Sequence, residues 1–494
     1  VIDRHYKNWL ARHGTPDRAI WAARLGAVSA PPGITVIMPV CDPRPDWLLA
    51  AIASVRAQWV ANWELLAVDD ASQAPAIGRI LAEAAASDPR IKTLSLPARA
   101  GISAASNAGL AVASMPYVTF LDHDDRLAPH ALAAMAITMA ENPDIALAFS
   151  DEDQLIDGAR ARPYFKPGWN PDLLLSQNLV CHLAVYRRDV VTGLGGLRPA
   201  FDGSQDFDLA LRAVASVGPT RVRHVPEVLY HWRQSPGSFS TRAAPACRDA
   251  TRRALRQALG PAQDVRPDPD LPQWPDVRFR LPDPAPFVSV IGAAVPPGCY
   301  QDGAIEQVGD PALATGEVLV FLAPSLVPVG ADWLRTLVAH AGRPEIGAAG
   351  ARLDGPDGRL LHAGFMLDPE CIAHSSQGHA DKVDPGYRGQ FRLARTVSAV
   401  SGDCLAVRRR VFVELGGFRA EAGEFAAVDF CLRLAGSGLR CVWAPQARLR
   451  YRVAPSEPCI GAAWMLAQWG DVLGRDPFQN PHLSLRAGRV DVVV

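Results

Sequence analysis

Residues 117–129 read YVTFLDHDDRLAP, an apolar run that stops at three carboxylates, Asp122, Asp124 and Asp125. A short apolar run bounded by turn residues is a buried strand. Polar residues at its carboxyl end mark the rim where open α/β sheets bind ligands. The flanking sequence repeats the theme. ITVIMPV (34–40), WELLAVDDAS (63–72) and IKTLSLP (91–97) are further strands, the second closing on Asp69 and Asp70. Helical spacing is expected over Asp46–Gln58 with Asp46 as N-cap, over Ala76–Ala86, and over the small-residue stretch ISAASNAGLAVAS (102–114). Strands alternating with helices predict right-handed βαβ units, hence an α/β fold with a largely parallel sheet.

At 494 residues the chain suits two or three domains. Fifty basic residues against 51 acidic leave no electrostatic footprint for nucleic acid. Nine dispersed cysteines without a C-x-x-C pair read as reduced thiols, not a disulfide framework or zinc site. The longest apolar stretch, near residues 131–140, is shorter than a membrane span, and the opening VIDRHYKNWLARHG shows no signal-peptide pattern. These features predict a cytoplasmic protein.

Residues 1–33 are expected to form a helical extension, with Tyr6, Trp9 and Leu10 at helical spacing before the breaker SAPPG. Residues 34–260 form the first domain. Seven prolines in 266–286 suggest a stiff linker over 261–286. Residues 287–494 carry a diverged repeat. VSVIGAA (288–294) echoes ITVIMPV, and VLVFLAPSLVP (318–328) echoes VTFLDHDDRLAP without the acids. SGDCLAVRRRVFVELGGFR (401–419) echoes QNLVCHLAVYRRDVVTGLGGLR (177–198). Matching VDFCLRL (428–434) to QDFDLALR (205–212) sets Asp429 opposite Asp206. The shorter front of the second copy implies the loss of roughly two βα units.

Each candidate site has a chemical and a purely structural reading. Asp122, Asp124 and Asp125 repel one another unless a hard cation such as Mg²⁺ or Mn²⁺ neutralises them, or they form an acidic turn capping the next helix. Asp69 and Asp70 suit hydrogen bonds to a nucleobase or ribose, or a capping turn. RAGISAASNAG (99–109) suits phosphate at a helix N-terminus, or close packing of helix on sheet. Asp206 is a candidate general base, or an N-terminal helix charge. In YHWRQSPGSFS (230–240), His231 suits a metal shell or a structural role, and Arg233 suits a diphosphate.

Taken together, ITVIMPV, VDDAS, GISAASNAG, FLDHDD, FSDED (149–153), YFKPGWNPDLLLSQN (164–178), GGLRPAFDGSQDFDL and YHWR resemble the family 2 inverting glycosyltransferases of bacterial O-antigen and surface-glycan assembly, over about residues 34–240. The resemblance implies a GT-A fold, a nucleotide-diphosphate sugar donor, and a glycan or lipid-linked acceptor with loose membrane association. It implies nucleobase recognition by Asp70 beside Asp69, Pro39 and Val40. Asp122 and Asp124 would be the D-x-D, with Asp124 the direct ligand of Mn²⁺ or Mg²⁺ and His231 a late one. Asp206 would be the base, with Gln205 where many members carry Glu. Gly101 and Asn107 would lie near the donor phosphates. Ser106 replaces the Arg that commonly precedes that Asn, leaving Arg99 as its substitute. Arg233 would face the diphosphate. The second domain, with Ala323, Pro324 and Ser325 at the place of the acids, would be non-catalytic. Two rivals are a sugar-phosphate nucleotidyltransferase, disfavoured because MPVCDPRPDWL lacks a Gly-rich loop, and an inactive glycan-binding scaffold.

Overall fold

The computed structural model describes residues 2–235, 243–261, 263–368, 370–375, 385–453, 455, 460–486 and 489–493. The tail of the YHWRQSPGSFS stretch, from 236 onward, lies outside the described residues.

The first sheet is built from β1 (Ile34–Val40), β2 (Trp63–Asp69), β3 (Ile91–Ser95), β4 (Tyr117–Phe120), β5 (Arg126–Leu127), β6 (Leu147–Ile156), β7 (Ala159–Tyr164), β8 (Ala184–Arg187) and β9 (Val222–Arg233). Its order is β3-β2-β1-β4-β8-β6-β9-β5, with β7 paired to β6. The front, β3 to β4, is parallel. Antiparallel β8 enters between β4 and β6, and β6 and β9 are parallel again. Every residue of β1 is buried, as a central strand covered on both faces requires.

Helices α1 (Ile2–His13) and α2 (Arg18–Ala27) precede the sheet, so the extension holds two helices. The second starts because the Asp17 side chain accepts from Ala19 N at 2.8 Å. Helix α3 (Pro45–Arg56) begins one residue before the expected cap, with Asp46 in its first turn. Helices α4 (Pro75–Ser87) and α5 (Ile102–Val112) fall where the spacing put them. The chain continues through α6 (Ala131–Glu141), α7 (Pro171–Leu174), α8 (Arg188–Gly193) and α9 (Gln205–Val217).

One charge lies inside the front of the sheet. Glu64 on β2 accepts from Thr35 (2.6 Å), Lys92 (2.7 Å) and Ser114 N (2.6 Å). Burial pushes its carboxyl up, but these hydrogen bonds outweigh it and bring the pKa to about 2.

The proline-rich stretch is ordered: β10 (Asp264–Pro267) and β11 (Pro275–Arg278) pair antiparallel. Buried Asp276 holds them, accepting from Arg266 (3.2 Å), Arg278 (2.8 Å) and Gln446 (2.8 Å).

The second sheet contains β12 (Val288–Gly292), β13 (Ile305–Val308), β14 (Val318–Leu322), β15 (Leu326–Pro328), β16 (Ile346–Asp354), β17 (Leu360–His362), β20 (Arg395–Val397), β21 (Cys404–Arg408) and β22 (Arg440–Tyr451). Two small hairpins, β18–β19 (Phe365–Asp368, Ile372–Ser375) and β23–β24 (Leu483–Arg486, Arg489–Val492), lie outside it. Its order, β13-β12-β14-β21-β16-β22-β15 with β17 on β16, matches β2-β1-β4-β8-β6-β9-β5 with β7 on β6. Only β3 has no counterpart. The shortening therefore removes one strand and the helices equivalent to α3, α4 and α5, since between β12 and β14 the chain forms β13 and, as its one helical element, a 3₁₀ turn, Pro311–Leu313.

The halves are joined through α7. Asn170 exchanges both ends of its amide with Thr396 (2.8 and 2.9 Å). Asp172, 3% exposed, faces Arg343 (2.8 Å), Arg440 (3.2 Å) and the Thr396 hydroxyl (2.6 Å). The chain end returns to the first half: Tyr6, Trp9, Phe165, Val228 and Val492 share a small core. Among the described residues no helix is long and apolar enough to cross a membrane.

Candidate active site

The carboxyl ends of β1, β2 and β4 form one rim. Val40 O accepts from Asp70 N at 2.8 Å, and Pro39 O lies 3.1 Å from His123 Nδ1, so the acid loop is tied to β1. Asp69 caps its own turn, accepting from Ser72 N (3.0 Å). Asp70 is buried and accepts from Ala100 N (2.6 Å) and Gly101 N (2.9 Å), which clamps the loop entering α5 to β2. Gly101 has φ +93°, and an added Cβ would stand 2.9 Å from Asp202 Oδ2. Arg99 pairs with Asp42 across the mouth of the rim.

Asn107, expected near the phosphates, is a scaffold residue here. Its amide donates to Leu197 O and accepts from Leu197 N, both at 2.8 Å. Gly196 (φ +74°) makes room, because a Cβ there would lie 2.2 Å from Asn107 Oδ1. Gly196→Ala is therefore expected to cost about 1–3 kcal/mol, read as a lower urea midpoint at unchanged slope.

Carboxylate oxygens of Asp122, Asp124 and Asp125 lie within 4.8 Å of one another. Their roles differ. Asp125 is fully buried and accepts from the Tyr230 hydroxyl and from Arg233 N, both at 2.6 Å. Arg233 Nε in turn donates to Asp124 O at 2.6 Å. These bonds stitch the acid loop to β9 and leave Asp122 and Asp124 as the pair turned to the rim. Asp122 is raised by the protein packed around it, then by Asp124, and further by Asp206. A carboxylate pair so held is stabilised in its charged form by added positive charge, and an all-oxygen donor set fits Mg²⁺ or Mn²⁺.

Asp206 lies in the first turn of α9, and its Oδ2 accepts from Asn178 Nδ2 at 2.7 Å. Gln205, at the position where Glu was expected, accepts from Gly203 N (2.8 Å) and closes the preceding turn. Asp208 serves the fold: Arg198 Nε (3.0 Å) and Arg212 Nε (3.0 Å) both donate to it.

His231 requires a correction. Side chains alternate along a strand, and the Tyr230 hydroxyl already reaches Asp122 N (3.3 Å) and Asp125. His231 points the other way, 2.6 Å from Asp153, inside a cluster completed by Arg160 and Tyr6. The histidine beside the acids is His182, which the sequence reading left without a role. It stacks on Tyr230 with ring centroids 4.5 Å apart, and it groups with Cys181 and Asp206 within 4.8 Å. Burial pushes its pKa down, but Glu152, Asp122 and Asp206 outweigh that and raise it to about 9. Below it, fully buried Lys166 donates to Cys181 O (2.7 Å) and His182 O (2.9 Å). Burial would raise Glu152, yet Lys166 and His182 bring it to about 2. The acids of FSDED are thus internal supports.

The second domain is also corrected at one position. Asp429 is buried and paired with Arg433 four residues on (2.8 Å) and with Arg419 (3.5 Å). Asp208 has the same pattern with Arg212 and Arg198. Arg433 donates to Leu415 O and Gly417 O just as Arg212 donates to Leu194 O and Gly196 O. Asp429 therefore corresponds to Asp208, and Ala427 stands at the place of Asp206. With that register, Asp208 to Tyr230 and Asp429 to Tyr451 are the same distance in sequence. Tyr451 keeps a carboxylate partner, but it is Asp403, at the position of His182.

Residues 35–195 match the model of glycosyl transferase family 2. The first domain belongs to that family. Over 92% of its length the chain is 32% identical to the uncharacterised protein y4gI of Sinorhizobium fredii (strain NBRC 101917 / NGR234), of which it covers 58%. Over 98% of its length it is 33% identical to the O-antigen biosynthesis protein RfbC of Myxococcus xanthus, of which it covers 43%. The chain thus spans about half the length of these curated relatives. A structure of S. aureus TarS (residues 1–349) is 15% identical over 46% of this chain and 65% of that one, with a TM-score of 0.37.

Proposed function

We propose that the first domain transfers a sugar from a nucleotide-diphosphate sugar to a hydroxyl of a saccharide or lipid-linked acceptor, with inversion, in surface-polysaccharide assembly. The observation that carries this reading is the convergence of the acid loop and Asp206 on His182, which groups with Asp206 and stacks on Tyr230, whose hydroxyl bonds to Asp122 N and Asp125. The likeness to an O-antigen biosynthesis protein supports the pathway class.

Asp122 and Asp124 are the residues that would hold Mn²⁺ or Mg²⁺, which when bound supplies positive charge against the diphosphate leaving group. The Asp70-held loop and the ends of β1 and β2 shape the nucleotide side. Arg233, fixed on the acid loop, adds positive charge as the leaving group departs. Asp206, oriented by Asn178, takes the proton of an acceptor hydroxyl attacking behind the anomeric carbon. A single displacement inverts that carbon, and the nucleoside diphosphate leaves with the bonding electron pair. The second domain, with Ala323, Ser325 and Ala427 at the three decisive places, is non-catalytic in this reading.

Calorimetric titration with UDP and a panel of nucleotide sugars, with and without Mn²⁺, tests it. Binding that needs the cation and disappears in Asp124→Asn is expected. Equal binding without the cation would remove the metal from the reading, and no binding at all would favour a scaffold.

A further inference from the structure

Trp47 is a tryptophan without a core. It stands in the first turn of α3, half-buried, and packs into none of the hydrophobic clusters of the described residues. Two guanidinium groups lie against its ring instead, Arg44 at 4.5 Å and Arg233 at 5.1 Å from the centroid. Both fall within the roughly 6 Å over which an aromatic face attracts a cation. The two cations differ in what else they meet. Arg44 is answered by Asp46, which accepts from its Nε (3.1 Å) and Nη2 (2.9 Å). Arg233 Nε donates to the main-chain Asp124 O at 2.6 Å, and this is the one hydrogen bond its side chain makes among the described residues. Its two terminal nitrogens are left over, as a planar fork of the kind that grips phosphate.

The contact also bridges two sides of the rim. Trp47 follows the end of β1, on the nucleotide side, and Arg233 ends β9, on the side of the acid loop. A diphosphate running from the nucleotide to a cation at Asp122 and Asp124 passes between them. The other seats expected for phosphate are taken. Arg99 is paired with Asp42. The N-terminus of α5 is filled by the Asp202 carboxylate, which accepts from the Ser103 hydroxyl and lies 2.9 Å from where a Cβ on Gly101 would stand.

We infer that Trp47 is a positioning residue for the donor diphosphate, its ring bracing the Arg233 guanidinium so that the terminal nitrogens meet the phosphates; this role rests on the function proposed above. A tryptophan that served only the fold would be felt in stability and in every ligand alike. One that braces Arg233 is felt in the diphosphate, and only while Arg233 is there to be braced.

The test is calorimetric titration of the full chain, with Mn²⁺ present, against UDP, UMP and inorganic pyrophosphate. Trp47→Ala is expected to weaken UDP and pyrophosphate about three- to tenfold, the size of one cation–π contact, and to change UMP by less than about twofold. Trp47→Leu keeps apolar bulk without an aromatic face and is expected to match the alanine variant. Trp47→Phe restores most of the affinity. In an Arg233→Ala background, adding Trp47→Ala costs nothing further, because the ring then has no guanidinium to hold. Equal losses for UDP and UMP, a leucine variant that binds like the wild type, or the same loss with and without Arg233 overturn the inference. A chain whose UDP binding ignores Trp47 keeps the proposed function and loses this role. A chain that binds pyrophosphate through Trp47 and Arg233 but binds no nucleotide keeps the role and loses the transferase reading. A chain that binds none of the three loses both.

Discussion

Asp206→Asn is expected to lower sugar transfer by about 10²–10⁴-fold, the usual contribution of a general base, with Mn²⁺–UDP affinity unchanged. The substitution keeps size and keeps an oxygen for Asn178, which now sits 2.7 Å from the carboxylate. It removes only the ability to accept a proton. The measurement is the initial rate of nucleotide release with the donor that the binding panel selects, beside a calorimetric UDP titration of the same variant. Asp208→Asn, two residues on, should behave differently. It faces Arg198 and Arg212, so its loss leaves two partly exposed guanidinium groups without their carboxylate and lowers the unfolding free energy by about 1–3 kcal/mol. A wild-type rate in Asp206→Asn would remove the base from the mechanism.

Asp172→Ala is expected to loosen the joint between the two halves, at a cost of about 3–5 kcal/mol. Asp172 answers Arg343, Arg440 and Thr396 from the other domain, and without it the two partly buried guanidinium groups share the more exposed Glu345 as their remaining carboxylate. Burial would raise its carboxyl, but Arg343, then Arg440 and Thr396, bring it to about 2. A folded-state pKa below the unfolded value gives stability that is present above about pH 4 and lost as pH falls toward 2. For a shift of this size that stability is about 2 kcal/mol. Glu64 and Glu152 titrate in the same window, so the distinguishing result is a shallower acid transition in Asp172→Asn than in the wild type, followed by tryptophan fluorescence. An unchanged acid midpoint and slope would show that the pair does not hold the joint. Because Asp172 lies in the segment that leads to Asn178, the alanine variant should also lower transfer more than it weakens UDP binding.

Where the reading of the chain needed correction, long-range pairing is the cause. QDFD and VDF were matched by their shared Asp-Phe letters, which set Asp429 opposite Asp206. The Asp–Arg pairs four residues apart, each closed by a second arginine ten residues upstream of the aspartate, put it opposite Asp208 instead. Asn107 was legible as a helix residue near the rim, but not as the partner of Leu197, because the loop before α9 folds back on α5. The proline-rich stretch was legible as non-helical, but its hairpin depends on Asp276 and on Gln446 from β22.

The sequence by itself determined the strand and helix order of the first domain, the acids at the end of β4, the base candidate at the start of α9, and the absence of acids from the second copy. These follow from apolar runs and the residues that end them, which are local properties of the chain. Tertiary structure decided which histidine stands beside the acids. β9 pairs with β5 and β6, both far earlier in the chain, and that register turns Tyr230 toward Asp125 and His231 toward Asp153. A strand has two faces one residue apart, and only its pairing partners fix which face meets the site.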